Sequence, residues 1–441
     1  MSPDFLSNEE IVLAARRNLN DFAWDYLVGG AESETTLRRN RLALDRLALR
    51  PRVLRDVSKI DASTTFLGHK LRIPVILAPI GSMQHLSPDC AIGFAKAAAR
   101  YGTIMSMAQT TPPGLEEVAA ASDGPKLFQL YVMGDDAWLH SLLARVCDAG
   151  YEALILTADS PYHGRHDRQL LNPAPRQRAP ASSLLPAGEG GRRPGEGAST
   201  SLLPVGEGAR RPGEGALPQA PNAPSSSAGP NYLASVTWQT LDRIRELWRG
   251  PFILKGVQTH EDAALAVEHG VDAVWVSNHG GRQMDGALGA IDVLPEVVYA
   301  VAGRAQIIFD SGVQRGTDVI KALALGADVA AIGRLQGWGM AAAGVEGVVH
   351  VLEILEDEIV SAMGLLGVTC VDQLDASYVT RAEPVTPPHE MSAWVNMPGG
   401  RLLIESGQAF RNAYQETPRP AGAPSQSSRR TRRRSGPQRW R

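Results

Sequence analysis

The stretch "AVWVSNHGGRQMDG", residues 273–286, joins an apolar run to a glycine-rich loop that carries His279 and Arg282. Near-continuous apolar runs rich in β-branched residues are typical of strands buried on both faces of a parallel sheet. The paired glycines after His279 favour a loop over a helix. We therefore predict a buried strand that ends at a loop with an imidazole and a guanidinium.

Seven further apolar runs resemble the first one, and polar residues and a helical stretch follow most of them. They occupy residues 73–79, 102–107, 126–132, 153–159, 251–257, 306–312 and 329–334. Alternating strands and helices predict a parallel sheet, and eight such units close naturally into an α/β (β/α)8 TIM barrel, here with a short N-terminal helical segment. A doubly wound open sheet is the alternative, but no GxGxxG turn follows the first strand.

A low-complexity segment separates the fourth and fifth runs. Here "SLLPAGEGGRRPGEGA" (183–198) returns as "SLLPVGEGARRPGEGA" (201–216), in a stretch without aromatic residues. Such a composition buries too little apolar surface to offset the cost of ordering. We predict that residues 173–230 are a disordered insert in the loop after the fourth strand of a single domain spanning 1–370.

Composition narrows the class of protein and the partners expected. The 441 residues are 44% hydrophobic with a formal net charge of -3, which is ordinary for a soluble globular protein and gives no general attraction to nucleic acid. The sequence has no run of 18 apolar residues, so we predict no membrane span. Its three cysteines are widely separated, so we predict neither disulfides nor a metal site. A cytoplasmic location fits best.

The C-terminal extension, 371–441, ends in "SSRRTRRRSGPQRWR". Its composition predicts a solvated tail that is disordered from about residue 417, although such a tail could also contact phosphates. We expect no nucleic-acid partner.

Polar residues close several of the apolar runs, at the end of the barrel where active sites lie. Since residues i and i+2 share a face of a strand, these side chains should converge, and burying them is costly unless they hold a polar ligand. A large heteroaromatic cofactor would satisfy the group formed by Gln129, Tyr131, Thr157, Asp159, Lys255, Ser277 and His279.

Two more patterns suggest the ligands. The seventh run continues into "DSGVQRGTD" and the eighth into "IGR", where backbone N–H groups and arginine can bind a phosphate. His279 could serve as a general base while Arg282 grips a carboxylate. Structural roles remain open alternatives, with His279 a satisfied strand-end residue, Lys255 a surface lysine and Asp159 a helix N-cap.

"SNHGGRQMD", with "FQLY", "LKGV" and "DSGVQRGTDVIKALALGAD", resembles the FMN-dependent 2-hydroxy-acid oxidases and dehydrogenases, which include glycolate oxidase, lactate oxidase and L-lactate dehydrogenases. The resemblance runs from about Phe22 to about residue 363, outside the insert. It implies an FMN cofactor, a small L-2-hydroxy acid (lactate-, glycolate- or mandelate-like) oxidised to the 2-oxo acid, oxygen or another electron acceptor, and a homotetramer.

The resemblance also implies roles for individual residues. His279 would be the base, Asp159 would orient it, Tyr131 would bond the substrate hydroxyl, and Tyr26 and Arg282 would bind the carboxylate. The cofactor would contact Pro79, Ala108, Gln129, Thr157, Lys255, Ser277, Asp310, Gly312, Arg315, Gly333 and Arg334.

Four positions depart from the family pattern. Ala108 replaces a flavin-contacting serine, Thr110 a tryptophan, His166 a second substrate-side arginine, and Gln314 the first arginine of the phosphate turn. These departures motivate two alternatives, an FMN-binding pseudoenzyme and an FMN enzyme with a divergent substrate.

Overall fold

The computed structural model describes residues 5–171 and 232–385. Three helices come first: α1 (Asn8–Asn18), α2 (Asp21–Val28) and α3 (Thr35–Asp45). The side chains of Ser7 and Asn20 cap the first two by accepting backbone N–H groups. The short strand β1 (Leu47–Leu49) and the hairpin β2 (Thr64–Phe66) and β3 (His69–Leu71) follow.

Eight parallel strands then form a closed barrel in chain order, with the last strand pairing the first. They are β4 (Val75–Leu77), β5 (Met105–Ala108), β6 (Lys126–Leu130), β7 (Ala153–Thr157), β8 (Phe252–Val257), β9 (Ala273–Val276), β10 (Gln306–Phe309) and β11 (Val329–Ile332). Each predicted run contains one of these strands, so the predicted (β/α)8 barrel is confirmed. Most strands are shorter than the runs because the last residues leave the sheet to build loops.

The helices that surround the barrel are α4 (Cys90–Tyr101), α5 (Leu115–Ala120), α6 (Asp136–Asp148), α7 (Asp167–Leu171), α8 (Trp238–Leu247), α9 (His260–Glu268), α10 (Ala290–Val301), α11 (Gly316–Ala324) and α12 (Arg334–Leu366). By length and composition alone α12 could cross a membrane, but 56% of its most apolar window is buried inside the protein. We interpret it as a core helix.

The two ends of the barrel differ: one is covered by apolar residues and the other is polar. Its interior is filled by buried residues that include Ile76, Leu127, Ile155, Ile253, Trp275 and Ile308. Phe66 and Leu71 of the β2–β3 hairpin join this cluster and cover the N-terminal end of the strands. The C-terminal end is thereby left as the open, polar end.

Packing continues past residue 370, where the domain was predicted to end. Tyr378 is 1% exposed, and β12 (Val379–Arg381) pairs antiparallel with β1. The predicted insert, 173–230, and the arginine-rich tail lie outside the described residues.

Candidate active site

His279 and Asp159 form a hydrogen-bonded pair at the open end of the barrel. His279 begins a turn just after β9 with a left-handed backbone (φ 57°), and its Nδ1 lies 2.9 Å from Asp159 Oδ1. Because a carboxylate only accepts, a neutral His279 carries its proton on Nδ1 and leaves Nε2 able to accept one. The pair therefore has the geometry of an oriented general base.

Asp159 is suited to keep its charge although its side chain is only 4% exposed. Burial raises the pKa of this carboxyl, but His279, Lys255 and the hydrogen bonds from His279 and Ser160 outweigh burial, so the pKa lies below its ordinary value. Ser160 Oγ donates to Asp159 Oδ1 at 3.1 Å and accepts from Gln283 Nε2 at 2.8 Å. An ionised Asp159 stabilises a proton gained by His279.

Tyr131 and Arg282 complete the cluster predicted around His279. Burial, followed by the charge of Asp159, raises the pKa of Tyr131, which keeps the phenol neutral and able to donate. Arg282 Nη1 donates to the carbonyls of Tyr26 (2.7 Å) and Gly29 (2.9 Å), and its guanidinium lies over the Tyr26 ring. The Tyr26 hydroxyl donates to Gly81 O at 2.7 Å, so contacts with other residues fix both predicted carboxylate-binding side chains.

Two adjoining cavities meet at this cluster. The larger encloses about 1030 Å³ and the smaller about 890 Å³, open solvent included. Both are lined by Tyr26, Pro79, Gly81, Lys255, His279 and Arg282. We call the larger one the cofactor cavity and the smaller one the substrate cavity.

The substrate cavity is bordered by the ends of β5, β6 and β7. Two polar side chains there show whether the site fits the expected cofactor. Gln129 Nε2 and Thr157 Oγ1 are buried there without a hydrogen-bond partner in the described part of the chain. Buried polar groups are normally bonded, so these two atoms indicate a missing polar ligand. Together with the buried Lys255, whose Nζ donates to Ser277 Oγ at 3.0 Å, they fit the polar edge of a flavin ring.

The far end of the cofactor cavity is suited to an anion. It is lined by Asp310, Ser311, Gly312, Gln314, Gly333 and Arg334. Gly312 has a φ of 97°, a backbone conformation that favours glycine, and a Cβ added to Gly333 would meet nothing within 4 Å, so the backbone of Gly333 borders open space. Arg334 supplies a cation, and its Nη2 donates to Gly29 O and Gly280 O.

Arg315, which was expected to contact the cofactor, pairs with another residue in this structure. Arg315 is the N-cap residue of α11, and its Nη2 lies 2.8 Å from Glu358 Oε1 on α12. It is absent from the described lining of the cofactor cavity, because the partly buried Glu358 draws the guanidinium toward α12. Arg41 of α3, which sequence reasoning missed, lines that cavity instead and donates to Gly312 O.

Arg41 brings little net charge to this end of the cavity. It is 3% exposed and pairs with both Asp318 and Asp45, whose carboxylates balance its guanidinium. Nothing in the sequence around Arg41 marks it, because its partners lie on other elements or in helix α3 itself.

His166 lies where a second substrate-side arginine was expected, and it adds no positive charge. Its Nε2 lies 2.8 Å from Arg282 O, while burial and then the charge of Arg282 lower its pKa to about 4. Neighbouring arginines do not replace that cation in the described cavities, since Arg165 pairs with Asp167 and Arg168 with Glu34.

The other departures shape the same cavity. Ala108 ends β5 and Thr110 follows it, and both line the substrate cavity beside Met133 and Leu233. Among the described residues no cluster of His, Cys, Asp or Glu has the arrangement of a metal site.

Comparisons with known proteins agree with this geometry. The FMN-dependent dehydrogenase family matches residues 15–381. An L-lactate oxidase of Nostoc sp. is 38% identical over 374 residues, covering 83% of this chain and 95% of the relative. Glycolate oxidase 1 of Zea mays is 37% identical over 384 residues, covering 86% of this chain and 95% of the relative.

Solved structures point the same way. The crystal structure of mandelate oxidase with 3,3-difluoro-2-hydroxy-3-phenylpropionic acid matches with a TM-score of 0.70 and 32% identity, covering 86% of this chain and all of that one. With the family match spanning most of the chain, the resemblance inferred from "SNHGGRQMD" is confirmed. The chain belongs to the FMN-dependent dehydrogenase family.

Proposed function

We propose that this protein uses FMN to oxidise a small L-2-hydroxy acid to the corresponding 2-oxo acid. One observation carries the proposal. His279 and Arg282 line both the substrate cavity and the adjoining cofactor cavity, and Asp159 is hydrogen-bonded to His279 beside them. The named relatives, which include lactate oxidase, L-lactate dehydrogenase and glycolate oxidase, support the same reaction class.

In the proposed reaction Arg282 binds the substrate carboxylate, because a guanidinium can pair with it in bidentate fashion. Tyr131 donates to the substrate hydroxyl and His279 Nε2 accepts a proton from the substrate. Asp159 stabilises the imidazolium that results. FMN, when bound, would supply the redox chemistry: with one substrate proton on His279, the cofactor would take up the two electrons and the second proton that the substrate loses.

Other residues would hold the cofactor. Gln129 and Thr157 would bond the ring through the buried atoms that lack partners, and Lys255 would add positive charge beside it. Ser277 acts through Lys255 and through the backbone N–H of His279, both of which donate to its hydroxyl. Asp310 would bond the ribityl chain and Arg334 the phosphate, with Pro79, Ala108, Gly312 and Gly333 in van der Waals or backbone contact.

We propose a monocarboxylic substrate. Arg282 is available at the substrate cavity as a cation, whereas His166 is neutral and the neighbouring arginines are held in ion pairs. The side chains of Met133, Leu233 and Ala108 add apolar surface suited to the substituent of a lactate- or mandelate-like acid. An FMN-binding pseudoenzyme is not favoured, because the base pair and Arg282 are assembled.

Three further proposals rest on the family resemblance and the composition. They are that oxygen or another molecule accepts the electrons from the flavin, that the protein is a homotetramer, and that it is cytoplasmic. Light scattering of the purified protein tests the tetramer, and fractionation of the source cells tests the location.

The test of the function is the visible spectrum of the purified protein under anaerobic conditions. L-Lactate, glycolate, L-mandelate and longer L-2-hydroxy acids are added one at a time, with D-lactate as the control. Bleaching of a flavin band by one L-acid supports the proposal, and readmitted oxygen shows whether oxygen reoxidises the cofactor. A flavin band that none of the acids bleaches would overturn it.

A further inference from the structure

The peptide bond between Gly29 and Gly30 connects both ends of the site. Its carbonyl, Gly29 O, accepts from Arg282 Nη1 at 2.9 Å and from Arg334 Nη2 at 2.8 Å. Arg282 lines the substrate cavity and Arg334 the phosphate end of the cofactor cavity. One carbonyl oxygen thus positions two guanidinium groups that face different ligands.

The other side of this peptide is held by Glu34. The N–H of Gly30 donates to Glu34 Oε1 at 3.1 Å. Arg168 holds the same carboxylate in bidentate fashion, with Nε 2.5 Å from Oε1 and Nη2 2.6 Å from Oε2. Glu34 is 6% exposed, and its backbone has a left-handed φ of 59°, which only surrounding contacts can maintain.

The charge of Glu34 matters for both arginines. Burial raises the pKa of Glu34, but Arg168, the Gly30 N–H and Arg334 outweigh it and lower the pKa, so the group is an anion. A carboxylate bonded to the N–H of a peptide polarises that peptide and strengthens its carbonyl as an acceptor. The same negative charge offsets the repulsion between two cations that share one oxygen.

We infer that Glu34, held by Arg168, is a positioning residue that fixes the positions of both Arg282 and Arg334 through the Gly29–Gly30 peptide. The substrate-carboxylate and cofactor-phosphate ends are therefore coupled. The inference rests on the proposed function for the ligands of the two arginines. It assigns a role to Glu34 and Arg168, neither of which is among the described lining residues of the two cavities.

The test measures FMN affinity and substrate kinetics in Glu34→Gln, which keeps the size of the side chain and removes its charge. We expect the Kd for FMN and the KM for the preferred hydroxy acid each to rise about fivefold, with a smaller change in kcat. Arg168→Gln should move both constants in the same direction. In the double variant the effects should be less than additive, because the two residues act through one contact.

The matched control is Glu116→Gln. Glu116 accepts a bidentate bond from Arg145 (2.7 and 3.0 Å), joining α5 to α6 on the surface, and neither residue lines a described cavity. We expect the control to leave FMN Kd and KM within about twofold of the wild type, since an exposed ion pair contributes little. A role of Glu34 in stability alone would change the melting temperature without moving these constants.

The inference is overturned if FMN Kd and KM in Glu34→Gln stay within twofold of the wild type, or if just one of them changes. Should that variant not fold, Arg168→Gln is judged by the same two criteria, since Arg168 is partly exposed. The FMN Kd requires no turnover. If the wild type oxidises none of the acids, the proposed function fails, and the Kd of a hydroxy acid, measured by its perturbation of the flavin spectrum, replaces KM in the same two criteria.

Discussion

The two ends of the site differ in how far short motifs determine their side chains. At the catalytic end, His279 and Arg282 line one cavity, and Asp159 lies beside it, hydrogen-bonded to His279. At the phosphate end, Arg334 lines the cavity, but Arg315 turns away to Glu358. His279 is directed by the end of its strand and by Asp159, which follows β7, two strands away in the barrel. Arg315 is directed by Glu358 of helix α12, outside the barrel. A motif predicts the position of a backbone better than the direction of a long side chain.

The largest effect should follow from Asp159→Asn at the catalytic end. The neutral amide cannot stabilise a protonated His279, so we expect the rate of flavin reduction by substrate to fall about 10³-fold. FMN should remain bound, because Asp159 is absent from the described lining of both cavities. Anaerobic stopped-flow absorbance measures the rate. A loss smaller than tenfold would show that the His279–Asp159 pair is not the base.

Arg282→Lys tests the carboxylate-binding part of the same end. Lysine loses the planar fork and cannot reproduce both donors to Tyr26 O and Gly29 O. We expect KM for the hydroxy acid to rise roughly thirtyfold, corresponding to about 2 kcal/mol, with a smaller change in kcat. Steady-state kinetics over a range of substrate concentrations gives both values. An unchanged KM would show that the substrate carboxylate binds elsewhere in the cavity.

Gln314→Arg tests whether the FMN phosphate binds at the predicted phosphate end of the site. Gln314 is 5% exposed and lines the cofactor cavity just before α11. A guanidinium at this position should lower the FMN Kd about tenfold, since charge-assisted bonds to phosphate are stronger than neutral ones. Without FMN, the variant should melt at a lower temperature than the wild type, because a buried guanidinium would then lack the anionic phosphate as its partner. Weaker FMN binding would show that the phosphate does not lie beside residue 314.

The features predicted from sequence are those determined by local pattern. Apolar runs predicted the eight strands, and alternation along β6 and β7 predicted that Gln129 and Thr157 share the open end. The hydrogen bonds of Ser160 and the cavity contact of Arg41 depend on residues brought together from distant segments. Short patterns cannot predict such contacts, because only the closed barrel brings α3 against the loops after β9 and β10.

The smallest effect should follow from Arg315→Gln, and it tests the contrast between the ends directly. Arg315 is held by Glu358 outside the described lining of the cofactor cavity, so FMN Kd should stay within about twofold of the wild type. Loss of the partly exposed ion pair should cost less than about 1 kcal/mol of stability, measured by urea unfolding of the holoenzyme. Arg334→Gln is the comparison, and it should weaken FMN binding clearly. If Arg315→Gln weakens FMN binding as much as Arg334→Gln does, then Arg315 leaves Glu358 when the cofactor binds. The motif would then have predicted the phosphate end as well as it predicted the catalytic end.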